Sequence, residues 1–312
     1  MGDGEDEPWF GLRQLLLGEW FDRMSSWLFL WASMMTLDGA AEGLAHDASH
    51  GARDRRLGQL VVDTGCAVAR GSDPSVVTRV ILTCSSFMSK GNRRAELLAA
   101  VRSIREQHSP ESTALVDEFL VVNEHDDGRR EDYAAAVAEV APEVQFIQKG
   151  RGDRGQARTL NMILDRIQGY DFWVHWEESW VCTRPFLAEA LEVMETSELT
   201  QLQATKDWLD MPAKQLQWGA SPRGTRYVQV LPDAQTGQPS ANIKHGWPLY
   251  SLRPSINRAD FCRQVGRFDE NPRMWPVRFE RDYGLRWLRQ GATKAVLVPQ
   301  AAERQPNHRS TY

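Results

Sequence analysis

The sequence has no apolar run long enough to cross a bilayer, few cysteines and no excess of basic charge. Each shortage removes a class of function. A membrane-spanning helix needs about 20 predominantly apolar residues. Residues 12–37 are rich in Leu, Trp, Phe and Met, but Arg13, Glu19, Asp22 and Arg23 interrupt them, and the uncharged part, 27–37, is only eleven residues. A helix packed on the domain accounts for this stretch, and an interfacial helix in peripheral contact with a membrane is the alternative. Residues 2–7 are Gly, Asp and Glu, without the basic segment of a secretory signal, so a cytoplasmic protein is expected. The four cysteines, Cys66, Cys84, Cys182 and Cys262, show no C-x-x-C spacing. They read as reduced thiols, and neither a disulfide frame nor a zinc site is expected. A net charge of -5 argues against a sequence-independent nucleic-acid binder, which would want a basic face.

What is present is enough apolar mass for a real core, 42% of 312 residues, with 25% charged. Twelve Trp outnumber the eleven Phe and double the six Tyr. An indole offers a flat apolar face with one polar edge, suited to sugars among other ligands and equally to pinning loops onto a core. Residues 1–75 read as an N-terminal helical extension and linker. Residues 76–312 read as one domain, with a first half at 76–187 and a second at 188–312.

Within that domain strands and helices alternate. Residues 80–83, 118–122, 144–148 and 172–175 are short apolar strands, with residues 84–91 a small-residue loop. Helical apolar spacing covers 93–107, 133–140 and 156–167. Four such alternations predict an α/β fold, a mostly parallel central sheet flanked by helices. Residues 187–196 and 278–290 are two further helices, and 227–231 and 295–298 two further strands. Residues 205–248 carry Pro212, Pro222, Pro232 and Pro239 and read as a long binding loop or lid, with Trp208, Trp218 and Trp247 in it.

The most informative stretch is 171–187, D-F-W-V-H-W-E-E-S-W-V-C-T-R-P-F-L. Its bulky apolar start has the character of a strand buried on both faces. Glu177 and Glu178 follow where the strand should leave the sheet, the end at which open α/β sheets bind ligands. Two adjacent acids repel unless a cation or a donor-rich ligand sits with them. Alone, they would be a solvated pair at a loop start.

Four stretches in order give that pair a context. The first is T-C-S-S-F-M-S-K-G-N-R-R-A-E-L-L-A-A-V-R-S-I-R-E-Q, and the second is G-Q-A-R-T-L-N-M-I-L. The third is the Glu177 stretch with Pro185-Phe186-Leu187, and the fourth is V-G-R-F-D-E-N-P, F-E-R-D-Y-G-L-R-W-L-R-Q-G and V-L-V-P. Together they resemble glycosyltransferases of the GT-A fold, family 2 type, over about residues 80–308. The wording H-W-E-E-S-W resembles a branch of large DNA viruses and some eukaryotes that carries H-x-E-D-D-W in place of the DxD element.

The resemblance implies transfer of a sugar from a nucleoside-diphosphate sugar, a UDP- or GDP-sugar, to an acceptor hydroxyl of a glycan, protein or small molecule. It implies an inverting displacement with Glu280 as general base and Asp282 as the nearby competitor. Donor-binding positions implied by it are Thr83, Ser85, Asn123, Glu124, Arg154, Arg158, Asn161, Glu177 and Glu178. A divalent metal, Mn²⁺ or Mg²⁺, is implied with Glu177, Glu178 and His308 as ligands. Two positions depart from the pattern: Ser179 occupies the place of the last DxD acid, and Phe279 precedes Glu280 where the family has an acid. A hydroxyl is a weak ligand for a hard cation. Either Glu178 substitutes, or water completes the shell, or fixed Arg and Lys replace the ion. The same departures suit a second reading, a non-catalytic nucleotide-sugar-binding module on the same fold. A sugar-phosphate nucleotidyltransferase is disfavoured, because Ser89-Lys90-Gly91-Asn92-Arg93 matches its phosphate loop poorly.

Overall fold

The computed structural model describes residues 77–86, 93–124, 132–206, 216–231, 250–271 and 278–306. The expected N-terminal extension, the 12–37 helix, His308, Trp208 and Trp247 lie outside the described residues.

The chain enters on β1 (Val80–Ser86), followed by α1 (Arg93–Gln107) and the single turn α2 (Pro110–Thr113). Then come β2 (Glu118–Asn123), α3 (Tyr133–Val140), β3 (Gln145–Gln148), α4 (Gln156–Arg166) and β4 (Phe172–Glu177). The second half holds β5 (Trp180–Cys182), α5 (Leu187–Glu195), β6 (Gln201–Gln203), β7 (Leu216–Ala220) and β8 (Arg226–Val230). It closes with β9 (Ser255–Arg258), α6 (Ala259–Val265), α7 (Arg278–Arg289), β10 (Lys294–Val298) and β11 (Ala302–Arg304).

Nine strands form one sheet in the order β3-β2-β1-β4-β9-β6-β10-β8-β7, and β5 and β11 make a separate antiparallel ribbon. Seven of the nine run the same way; only β8 and β9 oppose them. The expected mostly parallel sheet is therefore present, with its parallel block at β3-β2-β1-β4.

Alternation along the strands builds two cores. Val80, Leu82 and Cys84 of β1, Phe119 and Val121 of β2, and Phe172, Val174 and Trp176 of β4 face one layer, with α1, α3 and α5. Ile81, Leu120, Val122 and Trp173 face the other, with α4, α6 and α7. Strands buried on both faces need apolar residues at nearly every position, which is why β1, β2 and β4 read as continuous apolar runs. The second layer is aromatic: Phe268 stacks on Tyr283 at 3.9 Å between centroids, and Tyr250 lies 4.8 Å from Tyr283 and 5.8 Å from Trp287. Such pairs contribute about 0.5–1.5 kcal/mol beyond area burial.

Several boundaries differ from the sequence expectation. Strand β1 extends through Ser86, three residues into the expected loop, because β2 and β4 flank it and pair its backbone on both sides. Strand β7 lies inside the expected long loop and pairs with β8. Strands β5, β6 and β11 are three residues each, too short for periodicity to reveal.

Candidate functional site

The carboxyl ends of the parallel block bring together β1, β2 and β4. Ser85 pairs with Glu177 across the β1–β4 ladder, and Ser86 with Asn123 across β1–β2. Thr83 lies one pleat below; it is buried and accepts the indole N–H of Trp173 at 2.7 Å. The Ser85 hydroxyl donates to the Trp176 carbonyl at 3.4 Å. Ser86 Oγ and Asn123 Oδ1 are buried with no hydrogen-bond partner among the described residues, although Asn123 donates to Gln148 at 2.8 Å.

Glu177 is the last residue of β4, and Glu178 is the first residue past it. Glu178 is buried and its carboxylate pairs with Arg93 of α1 at 3.1 Å, the same guanidinium that reaches Glu96 at 3.2 Å. Gln305 donates its side-chain amide to the Glu178 and Glu96 carbonyls, and its backbone N–H to the Ser179 carbonyl. Glu178 is thus part of a clasp joining α1 to the β5–β11 ribbon.

Glu177 faces the second layer. Gln156, at the start of α4, donates to its Oε1 at 3.3 Å. Burial first, then the neighbouring charges of Glu178 and Glu280, push its carboxyl up to about 8, and Arg304 and Arg253 only partly offset this. His175, two residues earlier on the same face, is fully buried, and neither ring nitrogen has a partner among the described residues. Burial alone pulls that imidazole down to about 3, so it is neutral at physiological pH.

Glu280 approaches from the first turn of α7, and its Oε1 accepts the Leu252 N–H at 2.9 Å. Its charge acts on both Glu177 and the buried Tyr250 phenol, which burial holds well above its ordinary range. Two acids about a hundred residues apart are therefore within electrostatic reach of each other. Asp282, two residues on, instead receives Arg286 at 3.2 Å, an i,i+4 pair on the same helix.

The remaining expected donor positions occupy two internal ties. Glu124 is buried and accepts Lys149 at 2.9 Å and the Gly155 N–H at 3.2 Å, which anchors the start of α4 to the end of β2. Asn161 donates to the Phe268 carbonyl and to Glu270 and accepts the Phe268 N–H, and Arg158 also grips Glu270 at 3.0 Å. Arg154 is exposed just before α4.

Residues the sequence did not single out also line the site. Arg253 precedes β9, and Arg304 ends β11 directly opposite Trp180. Both guanidiniums lie over the Trp180 ring, at 6.0 and 5.3 Å from its centroid. Their only sequence signal was membership of a positive residue class near Pro254 and the C-terminal strand, which marks nothing by itself.

Of the three expected metal ligands only Glu177 and Glu178 are among the described residues. Among the described residues no three His, Cys, Asp or Glu side chains come together to hold a metal. A hard cation wants about six oxygen ligands. Here one acid of the pair is held by Arg93, and a hydroxyl, Ser179, stands next.

No protein-family profile and no curated protein matches the sequence. Among solved structures the chain is similar to the mannosyltransferase PcManGT from Pyrobaculum calidifontis, solved in complex with GDP-Man and Mn²⁺. That likeness has 16% identity and a TM-score of 0.46, covering 76% of this chain and 59% of that one. It is also similar to S. aureus TarS 1–349, with 12% identity and a TM-score of 0.48, covering 72% of this chain and 59% of that one. The chain thus spans about three fifths of the length of each of these structures.

Proposed function

We propose that this protein is a glycosyltransferase on a GT-A-type fold, moving a sugar from a UDP- or GDP-sugar to an acceptor hydroxyl. The observation that carries the proposal is that the charge of Glu280, held by the Leu252 N–H, reaches Glu177 at the carboxyl end of β4. The two acids belong to two of the four stretches that resemble this family, and the carboxyl end of an open α/β sheet is where ligands bind.

In this reading Glu280 takes the acceptor hydroxyl's proton as its oxygen attacks the anomeric carbon. The bond from that carbon to the diphosphate oxygen breaks, and the nucleoside diphosphate leaves with the electron pair. A base within hydrogen-bond reach contributes about 10²–10⁴ in rate. The Leu252 N–H orients the Glu280 carboxylate. Ser85, Asn123 and the mouth of β4 supply the nucleotide side. Single displacement inverts the anomeric centre.

Ser179, in the place of a DxD acid, specifically favours a second reading, a binding module that has lost catalysis. A transfer and hydrolysis assay over a panel of UDP- and GDP-sugars, on wild type and Glu280→Gln, separates the two. The catalytic reading expects turnover by wild type and its loss in Glu280→Gln with nucleotide binding retained. Intact binding without turnover in either protein supports the module.

A further inference from the structure

We infer that Arg253, Arg304 and Trp180 form an anion subsite that grips the diphosphate of the donor, in the role a divalent ion would otherwise fill. The inference rests on the sugar-nucleotide reading above and names how that site holds its charge.

Three separate segments build the cluster. Trp180 opens β5, two residues after Glu178; Arg304 faces it across the antiparallel β5–β11 ribbon; Arg253 arrives from the segment before β9. Residues directly opposite in an antiparallel pair project from the same face, so the Arg304 guanidinium lies over the indole by register. The ribbon is fixed beside β4 by Gln305, which ties it to the Ser179, Glu178 and Glu96 carbonyls. The position of the arginines is therefore set by backbone pairing as well as by side-chain choice.

The chemistry of the cluster is one-sided. Two guanidiniums and an indole N–H are all donors, and the N–H of Trp180 is buried with no partner among the described residues. Arg304 is exposed and makes no ion pair among the described residues. Both guanidiniums lie within electrostatic reach of Glu177, the last residue of β4. A guanidinium fork matches phosphate oxygens. Of the acids nearby, Glu178 is committed to Arg93. A diphosphate, with several acceptor oxygens and a charge that grows as its bond to the sugar breaks, fits both the sign and the position.

The test is titration calorimetry of the whole protein with UDP, GDP, the corresponding nucleosides and inorganic pyrophosphate, in EDTA and then with Mn²⁺. One of the two nucleoside diphosphates is expected to bind in EDTA, with little gain from Mn²⁺. Arg304→Ala is expected to weaken it at least tenfold, equivalent to about 1.4 kcal/mol, and to flatten its salt dependence. Arg304→Lys, which keeps the charge and loses the fork, should recover only part of the affinity. Nucleoside binding should not change in either variant. Because Arg304 is exposed on a ribbon edge, the fold should survive both substitutions, and Arg253→Lys gives an independent check. Nucleotide binding that is absent in EDTA and restored by Mn²⁺ overturns the inference. So does an unchanged affinity in Arg304→Ala with transfer still measurable, and that result leaves the glycosyltransferase reading standing. If wild type binds neither UDP nor GDP under any condition, both fall.

Discussion

His175 and Glu177 occupy the same face of β4, and burial drives both towards their neutral forms, the imidazole down and the carboxyl up. Their effects on stability run in opposite directions with pH. For Glu177, between about pH 4.5 and 8 the folded chain keeps a proton that the unfolded chain has released. Stability therefore falls as pH rises across that window. Replacing the carboxyl in Glu177→Gln is expected to raise the melting temperature at pH 8 by several degrees, at roughly 2–4 °C per kcal/mol for a domain of this size. At pH 4.5 and below the two proteins should melt nearly together. Thermal melts at both pH values check this, and an equal shift at both would refute the buried-acid account. The Arg93–Glu178 pair makes a different demand, because both side chains are almost fully buried, at 5% and 3% exposed. Arg93→Met strands a carboxylate inside the protein and should cost about 3–5 kcal/mol in urea unfolding. Adding Glu178→Gln should return most of it. No recovery in the double variant would mean that Arg93 acts through Glu96 or through packing.

At the scale of elements, the site depends on how helices are started and strands are ended. Gly155 precedes α4 at φ +111°, and its N–H is one of the groups holding Glu124. Only glycine takes that backbone angle without strain, so Gly155→Ala is expected to destabilise by about 1–2 kcal/mol. It should also loosen Gln156, the next residue and the donor to Glu177; equilibrium unfolding that matches wild type would contradict this. The long elements were legible in the sequence because their patterns were long. Helix α1 shows Leu97, Val101 and Ile104 on one buried face, and the apolar runs of β1, β2 and β4 mark strands covered on both sides. Of the candidate site, Glu177 and Glu280 were singled out through motif order, and in the structure the Glu280 charge reaches Glu177. The Arg253–Arg304–Trp180 cluster was not, since it depends on the pairing of two three-residue strands 120 positions apart. Nor does any motif foretell that Glu178 turns to Arg93 or that Asn161 spends its amide on Phe268. Those are tertiary choices made by whichever donor the fold brings near.

On the scale of the whole molecule, one block of parallel strands sends its carboxyl ends to a single edge, and everything proposed for function gathers there. The first half of the chain contributes Ser85, Asn123, Gln156 and Glu177 to it; the second contributes Arg253, Glu280 and Arg304. Neither half alone holds both a nucleotide side and a base. The most direct test is single-turnover transfer or hydrolysis of a UDP- or GDP-sugar panel by wild type and Glu280→Gln, with nucleotide affinity measured alongside. Wild type should consume at least one donor, and Glu280→Gln should do so about 10²–10⁴ times more slowly with affinity kept within a few fold. A Glu280→Gln protein as fast as wild type would contradict the central claim.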